Sequence, residues 1–129
     1  MFDTTRPLVL LLEDEMLIAL DVEMTLEEAG FSVVTFTKCT SAEMWLQQHS
    51  PRIAVVDVSL SDGPCAKAVS ILIERNIPFL VHTGRNHHAD GVDPVFNAGT
   101  WLNKPASPED IATAVAKLSG MAARSFEEA

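Results

Sequence analysis

Positive charge is scarce in this chain: 9 Lys and Arg stand against 18 Asp and Glu among 129 residues, a formal net charge of −9. A protein that gains affinity by displacing the counterions of phosphate backbones needs a basic face, and the few cations here are scattered, so nonspecific nucleic-acid binding is not expected. Long apolar runs are missing too. Even Leu8 to Leu12, a run as long as any, falls far short of the roughly 20 residues that span a bilayer, and Met1 to Pro7 lacks a basic start followed by an apolar stretch. No membrane partner is expected, and a cytoplasmic location is the default. Cysteine is nearly absent. Cys39 and Cys65 offer no CxxC and no ligand-like Cys/His spacing, so sulfur chelation of a metal is not expected, and free cytosolic thiols are expected rather than a disulfide.

What is present is a globular composition, 47% hydrophobic and 21% charged, on a chain long enough to bury about two-thirds of the surface exposed when unfolded. Short aliphatic runs alternate with helical patterns, the signature of βα units stacked into a parallel sheet. Strands are expected at 8–12, 31–36, 53–58, 78–82 and 101–103. Leu17, Leu20, Met24 and Glu28 advance by three or four, with Ile18, Val22 and Leu26 widening the apolar face and Gly30 placed as a C-cap. Ser41 is the expected cap of a second helix running to about His49, and a third spans about Pro64 to Arg75. Ser107, Pro108, Glu109 and Asp110 announce the last helix. Gly84 to Gly99 is rich in turn formers, so the fourth helix is short or irregular. No linker or repeat is visible; one domain with a core at about 8–118 and a tail at 119–129 is expected.

In a doubly wound parallel sheet, ligands collect at the carboxyl edge of the strands. The polar residues of this sequence fall there: Glu13, Asp14 and Glu15 after the first strand, Asp57 closing the third, Thr83 after the fourth and Lys104 after the fifth. Two carboxylates about 4 Å apart repel by about 4 kcal/mol at an effective dielectric near 20, or roughly three pKa units. Either one takes a proton or a hard cation binds. With oxygen ligands and a phosphorylated substrate, Mg²⁺ is the natural ion, Lys104 a point charge for a phosphoryl oxygen, and Thr83 a hydroxyl donor to another.

Glu13-Asp14, the strand ending in Asp57, Thr83, and Lys104-Pro105 together resemble, in order and approximate spacing, the receiver domain of two-component response regulators. The resemblance covers about Leu8 to Leu118 and implies an α/β, five-stranded, flavodoxin-like sheet of order 2-1-3-4-5. It implies Asp57 as phosphoacceptor, Asp14 as direct Mg²⁺ ligand, Glu13 as ligand through water, the Ser59 carbonyl completing the protein ligands, and Lys104 and Thr83 on phosphoryl oxygens. The phosphoryl group would come from a histidine kinase, a phosphotransfer protein or a small phosphodonor such as acetyl phosphate. Such a domain catalyses its own phosphorylation and dephosphorylation and turns over no separate substrate. Output would be a protein contact at the face built from the fourth helical segment, the fifth strand and the last helix. A kinase, an anti-sigma-type regulator and a second copy of the chain all stand open as readers of that face.

Three places depart from the receiver pattern. Trp101 stands at the switch position, usually Tyr or Phe, and packing on the last strand is as good a reading as switching. Phe79, Thr83 and Gly84 match the motif of the receiver subgroup nicknamed FAT GUY, whereas Val81, His82 and Arg85 do not. The loop Asp57 to Gly63 lacks the usual proline, which weakens Ser59 as a ligand. His82, His87 and His88 match no metal cage and read as exposed loop residues; Cys65 reads as packing, and Glu15 as a first-turn acid of the first helix. Two other functions remain on the table: a docking module with this fold that signals without phosphate, and a hydrolase using aspartyl chemistry on a small phosphorylated substrate.

Overall fold

The computed structural model describes residues 6–84 and 92–120. Along them run β1 (Leu8–Leu12), α1 (Met16–Glu28), β2 (Ser32–Phe36), α2 (Cys39–Leu46), β3 (Ile53–Val56), α3 (Ala66–Glu74), β4 (Phe79–Thr83), a 3-10 helix (Pro94–Ala98), β5 (Thr100–Asn103) and α4 (Pro108–Ser119). The strands form one parallel sheet in the order β2-β1-β3-β4-β5. This is the doubly wound, flavodoxin-like α/β fold. Strands covered on both faces must be apolar throughout, and Val9 to Leu12 and Ile53 to Val56 are buried accordingly.

Strand alternation sorts the core into two layers. Leu10, Leu12, Ala54, Val56, Phe79 and Val81 face α2, α3 and Phe96, while Val9, Leu11, Ile53, Val55 and Leu80 face α1 and α4. The apolar face expected for α1 is corrected. Ala19, Val22 and Leu26 are buried, whereas Leu17, Leu20 and Met24, together with Met16, point outward. Both stripes are apolar, and only the buried one is packed against α4 and the sheet.

Several element ends follow local chemistry. Gly30 turns out of α1 at φ 105°, and Asn76 adopts φ 57° after α3, both in the left-handed region that closes helices. Ser107 Oγ accepts the Asp110 N–H at 3.0 Å, Pro108 holds the first helical position, and Gly120 closes α4 at φ 79°. The Ser41 cap is corrected: α2 begins at Cys39, and Lys38 at its N-cap makes no side-chain bond. Its first amides are taken instead by a carboxylate from another loop, since Asp62 accepts from Cys39 N at 2.7 Å and Thr40 N at 3.2 Å. The expectation of free thiols is corrected as well. Cys39 and Cys65 are joined in a disulfide across a sequence separation of 26, because the start of α2 and the N-cap of α3 lie side by side on one face of the sheet. Of the stretch expected to hold an irregular fourth helix, residues 92–99 are described and contain only the 3-10 helix. His87, His88 and the tail beyond Gly120 lie outside the described residues.

Gly99, between the 3-10 helix and β5, lies against Phe79. A Cβ there would sit 2.4 Å from the Phe79 ring and 2.9 Å from its carbonyl oxygen, whereas one on Gly84 would meet nothing within 4 Å. Gly99→Ala should therefore lower the unfolding free energy by about 1–3 kcal/mol, the usual effect of overpacking. Gly84→Ala, measured alongside by chemical denaturation, should change it by less than about 0.5 kcal/mol.

Candidate functional site

The register of the sheet assembles one acidic edge. β1 and β3 pair with Leu12 opposite Val56, and Asp57 N donates to Leu12 O at 3.1 Å, so the residues that follow, Glu13 and Asp57, leave the sheet side by side. β4 and β5 pair with Thr83 opposite Asn103, and Lys104 N donates to Thr83 O at 2.9 Å. That bond fixes the base of the lysine at the same edge. The Lys104-Pro105 peptide is cis.

The Lys104 ammonium lies 2.8 Å from Asp57 Oδ2 and 3.2 Å from Glu13 Oε1. Asp57 Oδ1 accepts the Ser59 N–H at 3.0 Å, and Glu13 Oε2 accepts the Glu15 N–H at 3.2 Å. Both acids are buried, at 5% and 1% exposure, so their charges are poorly screened. Asp14 is the more open neighbour, and one carboxylate oxygen from each of Glu13, Asp14 and Asp57 lies within 4.8 Å of the others. Three carboxylates against one ammonium leave uncompensated negative charge in an all-oxygen set, which suits a hard divalent cation. Among the residues expected at the site, these four therefore come together. Thr83 is buried at the end of β4, and Ser59 is held beside Asp57 through its amide.

Burial pushes the Glu13 carboxyl above the ordinary glutamate range, against the opposing pull of the Glu15 amide and of Lys104. Burial also works against the Lys104 ammonium, yet its hydrogen bond to Asp57, with the charges of Asp57 and Glu13, outweighs that and holds its pKa above the ordinary lysine value. Lys104 thus favours the charged form of Glu13, but burial outweighs it.

Trp101 sits on β5, partly buried, with Nε1 donating to Phe96 O at 3.1 Å. It packs against the α2 and α3 side of the core, the side toward which Val81 and, by alternation, Thr83 face.

Three residues play parts the sequence reading missed. Glu15 is no first-turn acid: it occupies the N-cap of α1 without capping it, and its carboxylate stands 3.7 Å from Lys104. Asp62 was given no role, and nothing local announces a partner 23 positions away. His82 is not exposed but 3% accessible on β4. Its Nε2 has no hydrogen-bond partner, and the alternation of an otherwise apolar strand was the signal that placed it indoors.

Comparison with known proteins agrees with this geometry. The fold is that of response-regulator receiver domains, CheY-like in architecture, and the sequence is similar to that of a regulator of transcription. The transcriptional regulatory protein PhoP of Escherichia coli (strain K12) is 29% identical over 107 residues, covering 80% of this chain and 48% of PhoP. The response regulator receiver protein of Sinorhizobium medicae WSM419 is 25% identical with a TM-score of 0.76, covering 92% of this chain and 98% of that one. A CheY-like receiver domain of Methanospirillum hungatei JF-1 shares the fold at a TM-score of 0.78 with 17% identity, over 96% of this chain and 99% of that one. This chain spans about half the length of PhoP. No protein-family model matches the chain. Among the described residues, no helix is long and apolar enough to cross a membrane.

His82 supplies a pH test. Burial, then the Lys104 charge, holds its pKa below the ordinary 6.5. Between that lowered value and 6.5 the unfolded chain binds a proton the folded chain refuses, so stability falls as pH drops below 6.5. Denaturation midpoints at pH 7.5 and 5.5 should show wild type losing up to about 1.4 kcal/mol per pH unit more than His82→Leu. At neutral pH the leucine variant should be about 1 kcal/mol more stable, having lost an unpaired buried nitrogen.

Proposed function

We propose that the protein accepts a phosphoryl group on Asp57 in a cation-dependent reaction and signals through protein contacts that the modification controls. The observation that carries this reading is the Lys104 ammonium bridging the buried Asp57 and Glu13 carboxylates at 2.8 and 3.2 Å. An acceptor carboxylate held between an N–H and an ammonium is oriented but remains an oxygen nucleophile. In the reaction, one Asp57 oxygen bonds to phosphorus as the bond to the donor's histidine nitrogen, or to the acetate oxygen of acetyl phosphate, breaks. Lys104 can then move from the carboxylate to a phosphoryl oxygen, and the Thr83 hydroxyl to a second.

Glu13, Asp14 and Asp57 are the residues that would hold Mg²⁺, with the Ser59 carbonyl as a further ligand. When bound, the ion neutralises charge on the transferring group. The donor set supports it: all oxygen, clustered, and short of positive charge by itself.

A protein donor, either a histidine kinase or a phosphotransfer protein, is supported by the surface beside the acceptor. Met16, Leu17, Leu20 and Met24 are exposed by 61%, 79%, 47% and 61%, an apolar stripe along α1 that starts three residues after Glu13. For output, the reading assigns the face of the 3-10 helix, β5 and α4, with Trp101 and Thr83 reporting the state of the edge.

Intact-mass measurement after incubation with Mg²⁺ and acetyl phosphate should show one added phosphoryl group. Asp57→Ala should abolish it, and so should chelation of the metal. Lys104→Ala should slow it by at least roughly tenfold, the rate equivalent of 1.4 kcal/mol in the transition state. Unmodified protein under all conditions would instead favour a docking module that works without phosphate.

A further inference from the structure

The loop from Val58 to Pro64 joins the acceptor to α3, and its far end is fastened to a different part of the edge. Asp62 reaches across to the first amides of α2 and to the Thr40 hydroxyl at 3.3 Å. Ser61 Oγ donates to Thr37 O at 3.4 Å. Gly63 N closes a tight turn on Leu60 O at 3.1 Å. Cys65 follows in the left-handed region at φ 51°, a conformation non-glycine residues hold only where their surroundings impose it. The Thr40 and Ser61 contacts lie at the surface, where water competes for them, and the Asp62 contact to Cys39 N is only part-buried. The Cys39–Cys65 bond does not, since the two residues are 5% and 4% exposed and belong to the core packed on α2 and α3.

We propose that Cys39 and Cys65 are a thiol–disulfide pair that sets how firmly the acceptor loop is held, and through Ser59 how tightly the acidic edge binds a divalent cation. The second half rests on the cation reading given above. Chemically, a thiolate of a dithiol reductant attacks one sulfur and the other leaves as a thiolate. The reductant's second thiol then resolves the mixed disulfide, so the dithiol is oxidised and the two cysteines gain two electrons and two protons. After reduction, the Cys39 sulfur, 3.3 Å from Gly63 O, is left as a weak S–H donor where a covalent bond had been. The oxidised form is the pre-organised one, with less loop freedom to lose when a cation arrives.

The test uses the full chain, oxidised and after dithiothreitol, with a Cys39→Ser/Cys65→Ser variant in both buffers. Hydrogen–deuterium exchange follows the amides of residues 58–65, and calorimetry follows binding of Mg²⁺ alone. Reduction should speed exchange of the loop by at least roughly tenfold while β1 and β3 stay protected. It should also weaken Mg²⁺ binding about threefold to tenfold, the upper end being 1.4 kcal/mol, and the serine variant should match the reduced form in either buffer. Equal loop exchange in the two states overturns the proposal, as does alkylation of two free thiols in the oxidised sample. Faster loop exchange with unchanged Mg²⁺ affinity reduces the bond to a structural staple and also overturns it. If Mg²⁺ binds neither form and acetyl phosphate leaves Asp57 unmodified, the cation reading fails, and the coupling falls with it. Loop exchange alone then decides whether the pair grips the loop.

Discussion

One ammonium group holds the carboxyl edge of this sheet together. Glu13 and Asp57 emerge from adjacent strands into a buried setting where two unaccompanied carboxylates would repel by several kcal/mol. Lys104 lies within hydrogen-bond reach of both. It comes from β5, which β4 separates from β3, so its side chain and that of Asp57 together bridge roughly two strand spacings, about 10 Å. A flexible four-carbon stem with a compact charge at its tip suits that crossing better than a planar guanidinium. The strand order and the choice of lysine are therefore parts of the same solution, and the hydrogen bond from Lys104 N to Thr83 O fixes where the stem begins.

The loop after Asp57 is the second constraint. Helices usually take their first amides from a residue just upstream, and α4 does so with Ser107. Helix α2 instead takes Asp62, whose hydrogen bonds from Cys39 and Thr40 hold its carboxyl below the ordinary aspartate range. The start of one helix and the loop leading into the next are therefore stabilised by the same contacts. Order in the loop after Asp57 and order at the head of α2 are not separable quantities.

How much of this could be read from the residues depended on the range of the interaction. Alternating aliphatic and helical segments announced the parallel sheet, and Ser107-Pro108 the start of α4, because both signals lie within a few positions of what they specify. Asp57, Glu13, Asp14 and Lys104 were legible for a related reason: a parallel sheet delivers its strand ends to one edge, so position along the chain translates into position in space. Two of the failures are contacts made by side chains whose partners lie on another unit. Asp62 capping α2 and Cys39 meeting Cys65 need the crossover geometry of β3 and α3. The inward face of α1 was placed on the wrong one of two apolar stripes, because packing on α4 and the sheet decides it. His82 was misplaced because its chemistry, rather than its strand position, was allowed to set its exposure.

Trp101 differs from a freely rotating aromatic in one respect. Its indole N–H is committed to the Phe96 carbonyl, and Phe96 itself is fully buried in the 3-10 helix. The ring therefore cannot turn as an independent rotor. A swing either surrenders that bond inside a poorly hydrated layer or hauls the Pro94–Ala98 backbone along with it. Side-chain rotation is geared to main-chain displacement, so a small event at the edge of β5 would reach the surface as movement of a whole turn of chain.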